Sequence, residues 1–204
     1  MLNLKKFENS KLNTEPFSYI VLKDFVQNCL LNSARNDYPD VPGPGSHPPD
    51  GLTIRGGFKS LMDELLGESF RSVIEDKFKV ELSNYPCMYT VRGFCRARDG
   101  KIHTDSTSKI ITVLLYMNDD NWPSDKGKLR LLNNGSDIEN YFEEIAPTGG
   151  TLLVFKRAEN SWHGHQSFEG SRRAIQINWV QKQPFASREQ RRHKLSSTIK
   201  KLFN

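Results

Sequence analysis

The chain has few cysteines and no long apolar run, and each lack removes a class of protein. Cys29, Cys87 and Cys95 are odd in number and follow no metal-binding spacing, which excludes a disulfide framework or a cysteine-based zinc module. No stretch of about 18 apolar residues is present to form a membrane-spanning helix. The opening MLNLKKFENSKLNTEPF has no apolar core of the secretory kind, so a reducing, cytoplasmic setting is expected. Internal repeats and low-complexity segments are also missing. What is present is a soluble composition, with 36% hydrophobic and 26% charged residues over 204 positions, enough for a single domain with a sizeable core.

The net charge of +5 is concentrated at one end. Arg188, Arg191, Arg192, Lys194, Lys200 and Lys201 lie in SREQRRHKLSSTIKKLFN, which reads as a basic helix capped by Ser187. No nucleic-acid recognition motif accompanies it, so a solvated helix face is preferred to a nucleic-acid contact.

Along the chain, PFSYIVLKDF reads as a strand and VQNCLLNSARNDY as a helix. PDVPGPGSHPPDG is too rich in proline and glycine for regular structure and reads as a linker or a loop at the mouth of a site, with His47 solvated. FKSLMDELLGESFRSVIEDKF repeats apolar positions three and four apart and predicts one or two helices. From residue 85 the texture changes to short β runs: YPCMYTVRGFCRA, SKIITVLLYMN, GKLRLLN, GGTLLVFKRA and RRAIQINWV, parted by turn residues. The expected fold is mainly β with N-terminal helices (α+β). A helical support over 1–84, a β-sandwich or barrel core over 85–183 and a basic helix over 184–204 form one domain.

His103-Thr104-Asp105 places an imidazole and a carboxylate on one face of an extended segment. With a distant histidine, for which His163 is the candidate, they make a two-His-one-carboxylate facial triad. Such a triad leaves positions open on Fe(II) for a bidentate co-substrate and for O2. An H-x-D triplet alone is a weak signal. It gains weight from RRAIQINWV, which supplies Arg172 or Arg173 nine or ten residues beyond His163, the guanidinium that the distal carboxylate of a buried dicarboxylate would need. The two arginines point to opposite sides of one strand. Setting Ile175 and Ile177 toward the helices sends Arg172, Ala174, Gln176 and Asn178 into the pocket, whereas counting back from Trp179 selects Arg173; Arg172 is preferred. Ile111, Val113 and Leu115 likewise form an apolar face, which turns Thr112, Leu114 and Tyr116 inward. Arg92, Arg96, Arg98 and Lys101 precede the triplet and read either as guides for an acidic substrate or as solvated charges.

HTD at 103–105, YMNDDNW at 116–122, GKLRLL at 127–132, PTGGTLLVF at 147–155, SWHGH at 161–165 and SRRAIQINW at 171–179 stand in the order of the 2-oxoglutarate and Fe(II)-dependent dioxygenases. Over 85–180 the chain resembles that superfamily and, within it, the prolyl 4-hydroxylase-like branch. The resemblance implies a double-stranded β-helix, a cupin-like jelly roll, with His103, Asp105 and His163 as iron ligands and Tyr116 hydrogen-bonded to the distal carboxylate of 2-oxoglutarate. It implies hydroxylation of an unactivated C–H bond coupled to decarboxylation of 2-oxoglutarate to succinate, with O2 consumed and ascorbate as reductant. The substrate would be a protein prolyl residue, a free amino acid or a small metabolite. His165 competes with His163 by type, and family spacing favours His163. Lys128 stands where relatives often carry a second glycine. Retention of Asp105 argues against the halogenating members. Two other readings remain: oxidative demethylation of alkylated nucleic acid on the same core, and a non-catalytic jelly-roll metal-binding module.

Overall fold

A computed structural model describes residues 1–181. The basic C-terminal helix expected over 184–204 lies outside the described residues. Helices α1 (Leu4–Asn9), α2 (Asn28–Asn36), α3 (Gly56–Leu65) and α4 (Glu68–Phe78) precede seven of the eight strands. The strands are β1 (Tyr19–Leu22), β2 (Cys87–Cys95), β3 (Lys109–Tyr116), β4 (Leu129–Leu132), β5 (Tyr141–Ile145), β6 (Leu152–Lys156), β7 (His163–His165) and β8 (Gly170–Val180). They form a five-stranded sheet in the order β1-β6-β3-β8-β2 and a three-stranded sheet in the order β5-β4-β7, with every pairing antiparallel. Two such sheets with helices on one side are the architecture expected of a helix-buttressed jelly roll.

Alternation along the central strands makes two apolar layers from one sheet. Ile111, Val113, Leu115, Leu152, Val154, Ile175 and Ile177 are buried in one cluster with Phe58, Leu61 and Leu65 of α3 and Phe70 and Ile74 of α4. The opposite face sends Tyr116, Leu153, Phe155 and Ala174 against Leu129, Leu131 and Ile145 of the smaller sheet. Because β6 is covered on both faces, its sequence is a continuous apolar run rather than an alternating one. The segment read as one or two helices is two, parted at Leu66-Gly67, and α4 ends on Lys79 in the left-handed region (φ 51).

The proline- and glycine-rich segment differs from expectation. His47 is buried, not solvated, with Nε2 hydrogen-bonded at 3.1 Å to the Gly43 carbonyl. Reciprocal backbone bonds join His47 to Val91 (2.9 and 2.8 Å), so the segment caps the edge of β2 like an extra short strand. Among the described residues no helix is long and apolar enough to cross a membrane.

Phe70 is fully buried and packs edge-on to Phe7 at 6.1 Å between ring centroids and tilted to Phe25 at 5.4 Å. Phe70→Ala should therefore cost about 3–5 kcal/mol. Urea unfolding is the check, and a loss well under 1 kcal/mol would contradict this packing.

Candidate metal centre and anion pocket

His103 and His163, far apart in sequence, pair their backbones: each N–H donates to the other's carbonyl at 3.0 Å. The 103 segment thus extends the smaller sheet beyond β7, and the two rings stand 4.3 Å apart between centroids. Asp105, two residues on, turns to the same side, and one ligand atom from each of His103, Asp105 and His163 falls within 4.8 Å of the others. His103 Nδ1 is 2.8 Å from the Lys101 carbonyl and His163 Nδ1 is 2.9 Å from the Ser161 carbonyl. A carbonyl only accepts, so both Nδ1 atoms carry the proton and both Nε2 atoms keep a lone pair for a metal. Two imidazoles and one carboxylate, so tethered, fit a divalent first-row ion such as Fe(II).

Asp105 is buried, and sequence reasoning did not identify what keeps it charged. Burial would raise its carboxyl, but Lys109 Nζ at 2.7 Å, nearby His163 and the Thr112 hydroxyl at 2.5 Å outweigh that and lower it to about 2. Thr112 in turn reaches Asn178 Oδ1 at 3.0 Å, tying β3 to β8. The signal for Lys109 was its spacing, one residue in advance of the inward face of β3, where a lysine otherwise reads as a strand-end surface charge. Burial pushes His163 down to about 4, despite the neighbouring Asp105 charge, so its imidazole is neutral and ready to coordinate.

The three donors open onto a cavity of about 300 Å³ that is also lined by Leu114, Tyr116, Leu129, Arg172, Ala174 and Gln176. Tyr116 lies four residues along β3 from Thr112, about 13 Å of strand. Arg172 is buried, donates Nε to the Gly127 carbonyl at 2.8 Å and approaches the Tyr116 hydroxyl through Nη2 at 3.4 Å. Gly127 has φ +76, and a Cβ there would meet Phe168 at 2.8 Å, so the turn that anchors Arg172 requires glycine. Arg173 is exposed on the other face, its guanidinium 5.2 Å from the centre of the Tyr38 ring. Counting from the apolar residues of β8 therefore gives the arginine that faces the cavity, and counting from Trp179 gives the one that does not. His165 stands apart from the metal donors, with Nδ1 bonded to the Gln166 carbonyl at 2.8 Å and Nε2 near the Cys95 sulfur at 3.7 Å. A Cβ on Gly100, which has φ +77, would collide with the His165 ring. Of the charges preceding the triplet, Arg92 lines the cavity, Arg96 pairs with Asp99 at 3.9 Å, and Arg98 and Lys101 are exposed.

Facing antiparallel sheets with a His-Asp-His cluster at one mouth define a jelly-roll protein with a candidate mononuclear metal centre. Residues 90–181 match the profile of the family described as the 2OG-Fe(II) oxygenase superfamily. No curated protein matches the chain in sequence. Among solved structures, a prolyl 4-hydroxylase from Phytophthora capsici superposes with a TM-score of 0.57 at 14% identity, covering 88% of this chain and 66% of that one. A prolyl-4-hydroxylase from Pseudomonas putida gives 0.52 at 18% identity, covering 80% and 86%. A viral collagen prolyl hydroxylase from Paramecium Bursaria Chlorella virus-1, solved with 2OG, gives 0.53 at 14% identity, covering 79% and 94%. At these identities the likeness is one of fold.

Acid should destabilise the metal-free protein in two stages. His163 titrates at about 4 when folded, against roughly 6.5 when unfolded, so stability is full above the unfolded value and is lost as pH falls toward 4. Asp105, at about 2 against roughly 3.9 unfolded, adds a second loss between those values. Urea midpoints measured against pH should show a shallower upper stage in His163→Gln, where His165, also pushed down to about 4 by burial, still contributes, and should lose the lower stage in Asp105→Asn; variants whose curves run parallel to the parent would refute these assignments.

Proposed function

We propose that this chain is a 2-oxoglutarate- and Fe(II)-dependent dioxygenase that hydroxylates an unactivated C–H bond in a prolyl 4-hydroxylase-like manner. The supporting observation is one cavity with three convergent donors, His103, Asp105 and His163, at one end and a buried arginine, Arg172, beside Tyr116 further in. Iron would supply activation of O2, coupled to oxidative decarboxylation of 2-oxoglutarate to succinate.

The chain's own residues supply position and charge. Nδ1 donation to the Lys101 and Ser161 carbonyls holds each imidazole edge toward the ion, and Lys109 with Thr112 keeps Asp105 anionic. Arg172 offers its remaining donors, and Tyr116 its hydroxyl, to the distal carboxylate of 2-oxoglutarate. Leu114, Leu129 and Ala174 give the cavity an apolar wall between these charged groups. The substrate class is a protein prolyl residue, a free amino acid or a small metabolite that enters beside exposed His103. A metal-binding module without catalysis would have no use for Arg172 at this depth. An unpaired buried guanidinium costs stability unless an anion meets it.

The test is release of labelled CO2 from 2-oxoglutarate in the presence of Fe(II) and ascorbate. Asp105→Ala and His103→Ala should reduce it by more than the roughly 10–100-fold that loss of an outer partner of a metal ligand costs, and Arg172→Met should raise the KM for 2-oxoglutarate. Equal CO2 release by the parent and His103→Ala would defeat the proposal.

A further inference from the structure

Arginines withdrawn from solvent in this fold are matched by acids, with two exceptions. Arg35, Arg71, Arg96, Arg130 and Arg157, each buried or half-buried, have a carboxylate within 3.9 Å. Arg92 and Arg172 have none among the described residues, and both line the cavity. Two like charges share a confined space, and Arg172 is among the groups that depress the Arg92 pKa after burial itself.

Nothing on the surrounding elements neutralises them. Asp99, the acid that acts on Arg92 from a distance, is engaged by the Arg96 backbone N–H at 3.0 Å and by its guanidinium. His165 carries no negative charge in any state, and burial raises the Cys95 thiol. Asp105 is committed to Lys109.

The position of Arg92 is built. Its Nε donates to the Ser46 hydroxyl at 2.9 Å, and Ser46 is buried on the segment that His47 staples to Val91. This leaves the terminal nitrogens of Arg92 for the cavity. Register puts Arg92 beside Ala174 and Ala174 beside Tyr116, so the three form one row across β2, β8 and β3. The small Ala174 side chain leaves a hollow between a guanidinium and a phenol, and Arg172 lies two residues along β8 on the same face. A carboxylate seated in that hollow meets donors from three strands, and its charge relieves the repulsion between the arginines.

Resting on the reading of the cavity as a 2-oxoglutarate site, we infer that Arg92 is a second binding residue for the distal carboxylate, opposite Tyr116 and beside Arg172, with Ser46 as its positioning residue. The pocket then discriminates by charge at its inner end. A 2-oxo acid without a distal carboxylate leaves both arginines unmatched.

The experiment needs no turnover. 2-Oxoglutarate, and pyruvate as the 2-oxo acid without the distal carboxylate, are titrated calorimetrically into Mn(II)-loaded protein. Arg92→Met should weaken 2-oxoglutarate about 30-fold or more, the scale of removing one partner from a buried charge pair, and leave pyruvate unchanged. Arg92→Lys should lose less, since it keeps the charge without the fork. Ser46→Ala should weaken 2-oxoglutarate roughly two- to fivefold with pyruvate again unchanged, a selectivity that general loosening of the fold would not produce. Thermal melting of each variant confirms folding. If Arg92→Met and Arg92→Lys both bind 2-oxoglutarate as the parent does while Arg172→Met does not, the Arg92 assignment is overturned and the co-substrate reading stands. A Mn(II)-loaded parent that binds no 2-oxoglutarate overturns both.

Discussion

The site depends on one backbone pairing. His103 and His163 exchange two N–H···O bonds, and this sets the separation of their Cα atoms at the roughly 5.5 Å of a hydrogen-bonded antiparallel pair, with both side chains on one face. Asp105 follows two residues later on the same side, so all three ligand atoms converge without any donor having to reach for the ion. The Nδ1 anchors to the Lys101 and Ser161 carbonyls then select the rotation of each ring. A slip of one residue in this register would carry one histidine to the opposite face and leave two donors, which is why the metal geometry is a property of the strand pairing before it is a property of the side chains.

Charge is arranged along the cavity as firmly as shape is. At the metal end a buried carboxylate is kept ionised by a buried lysine, and this pair is neutral in sum. At the other end two guanidiniums lack carboxylate partners among the described residues while the neighbouring histidine and thiol stay uncharged. The resulting field runs from a donor set that wants a cation toward a hollow that wants an anion. A dicarboxylate with a chelating keto acid at one end is the kind of molecule that satisfies both. The same low-dielectric surroundings that make these charges costly when unmatched make them selective when matched.

Much of this can be read from the sequence, and what cannot has a physical reason. Apolar alternation in KIITVLLY and RRAIQINWV orients Tyr116 and Arg172, because one face of each strand must meet the helices. Continuous LLVF marks β6 as covered on both sides. By contrast β5, with the sequence YFEEI, is mostly half-buried at the edge of the smaller sheet and carries no apolar period to betray it, and α1 is too short for one to develop. Burial of His47 depends on its edge pairing with Val91, a contact distant in sequence that local composition does not encode. Lys109 reads as an ordinary charge, and Arg92 as either a guide for an acidic substrate or a solvated charge, until the fold shows that one meets Asp105 and the other the cavity.

The two ends of the cavity belong mainly to different layers. His163 rides on the smaller sheet, with the 103–105 segment joined to it, whereas Arg92, Tyr116 and Arg172 all stand on the larger one. The span between the metal donors and the anion hollow is therefore set by how the sheets pack, through Leu131 and Ile145 on one side and Leu153 and Phe155 on the other. Protein interiors of this kind are close-packed and resist compression, so the permitted length of the bridging acid is fixed by residues that never touch it. Thr112 reinforces the same dimension from within, because its hydroxyl, carried on β3 of the larger sheet, donates to Asp105 and so ties a metal donor directly to the sheet that carries the arginines. On the proposed reading, selection of the co-substrate by length follows from core packing and selection by charge from the arginine pair, while the choice of substrate is left to the open side of the cavity, where His103 meets solvent.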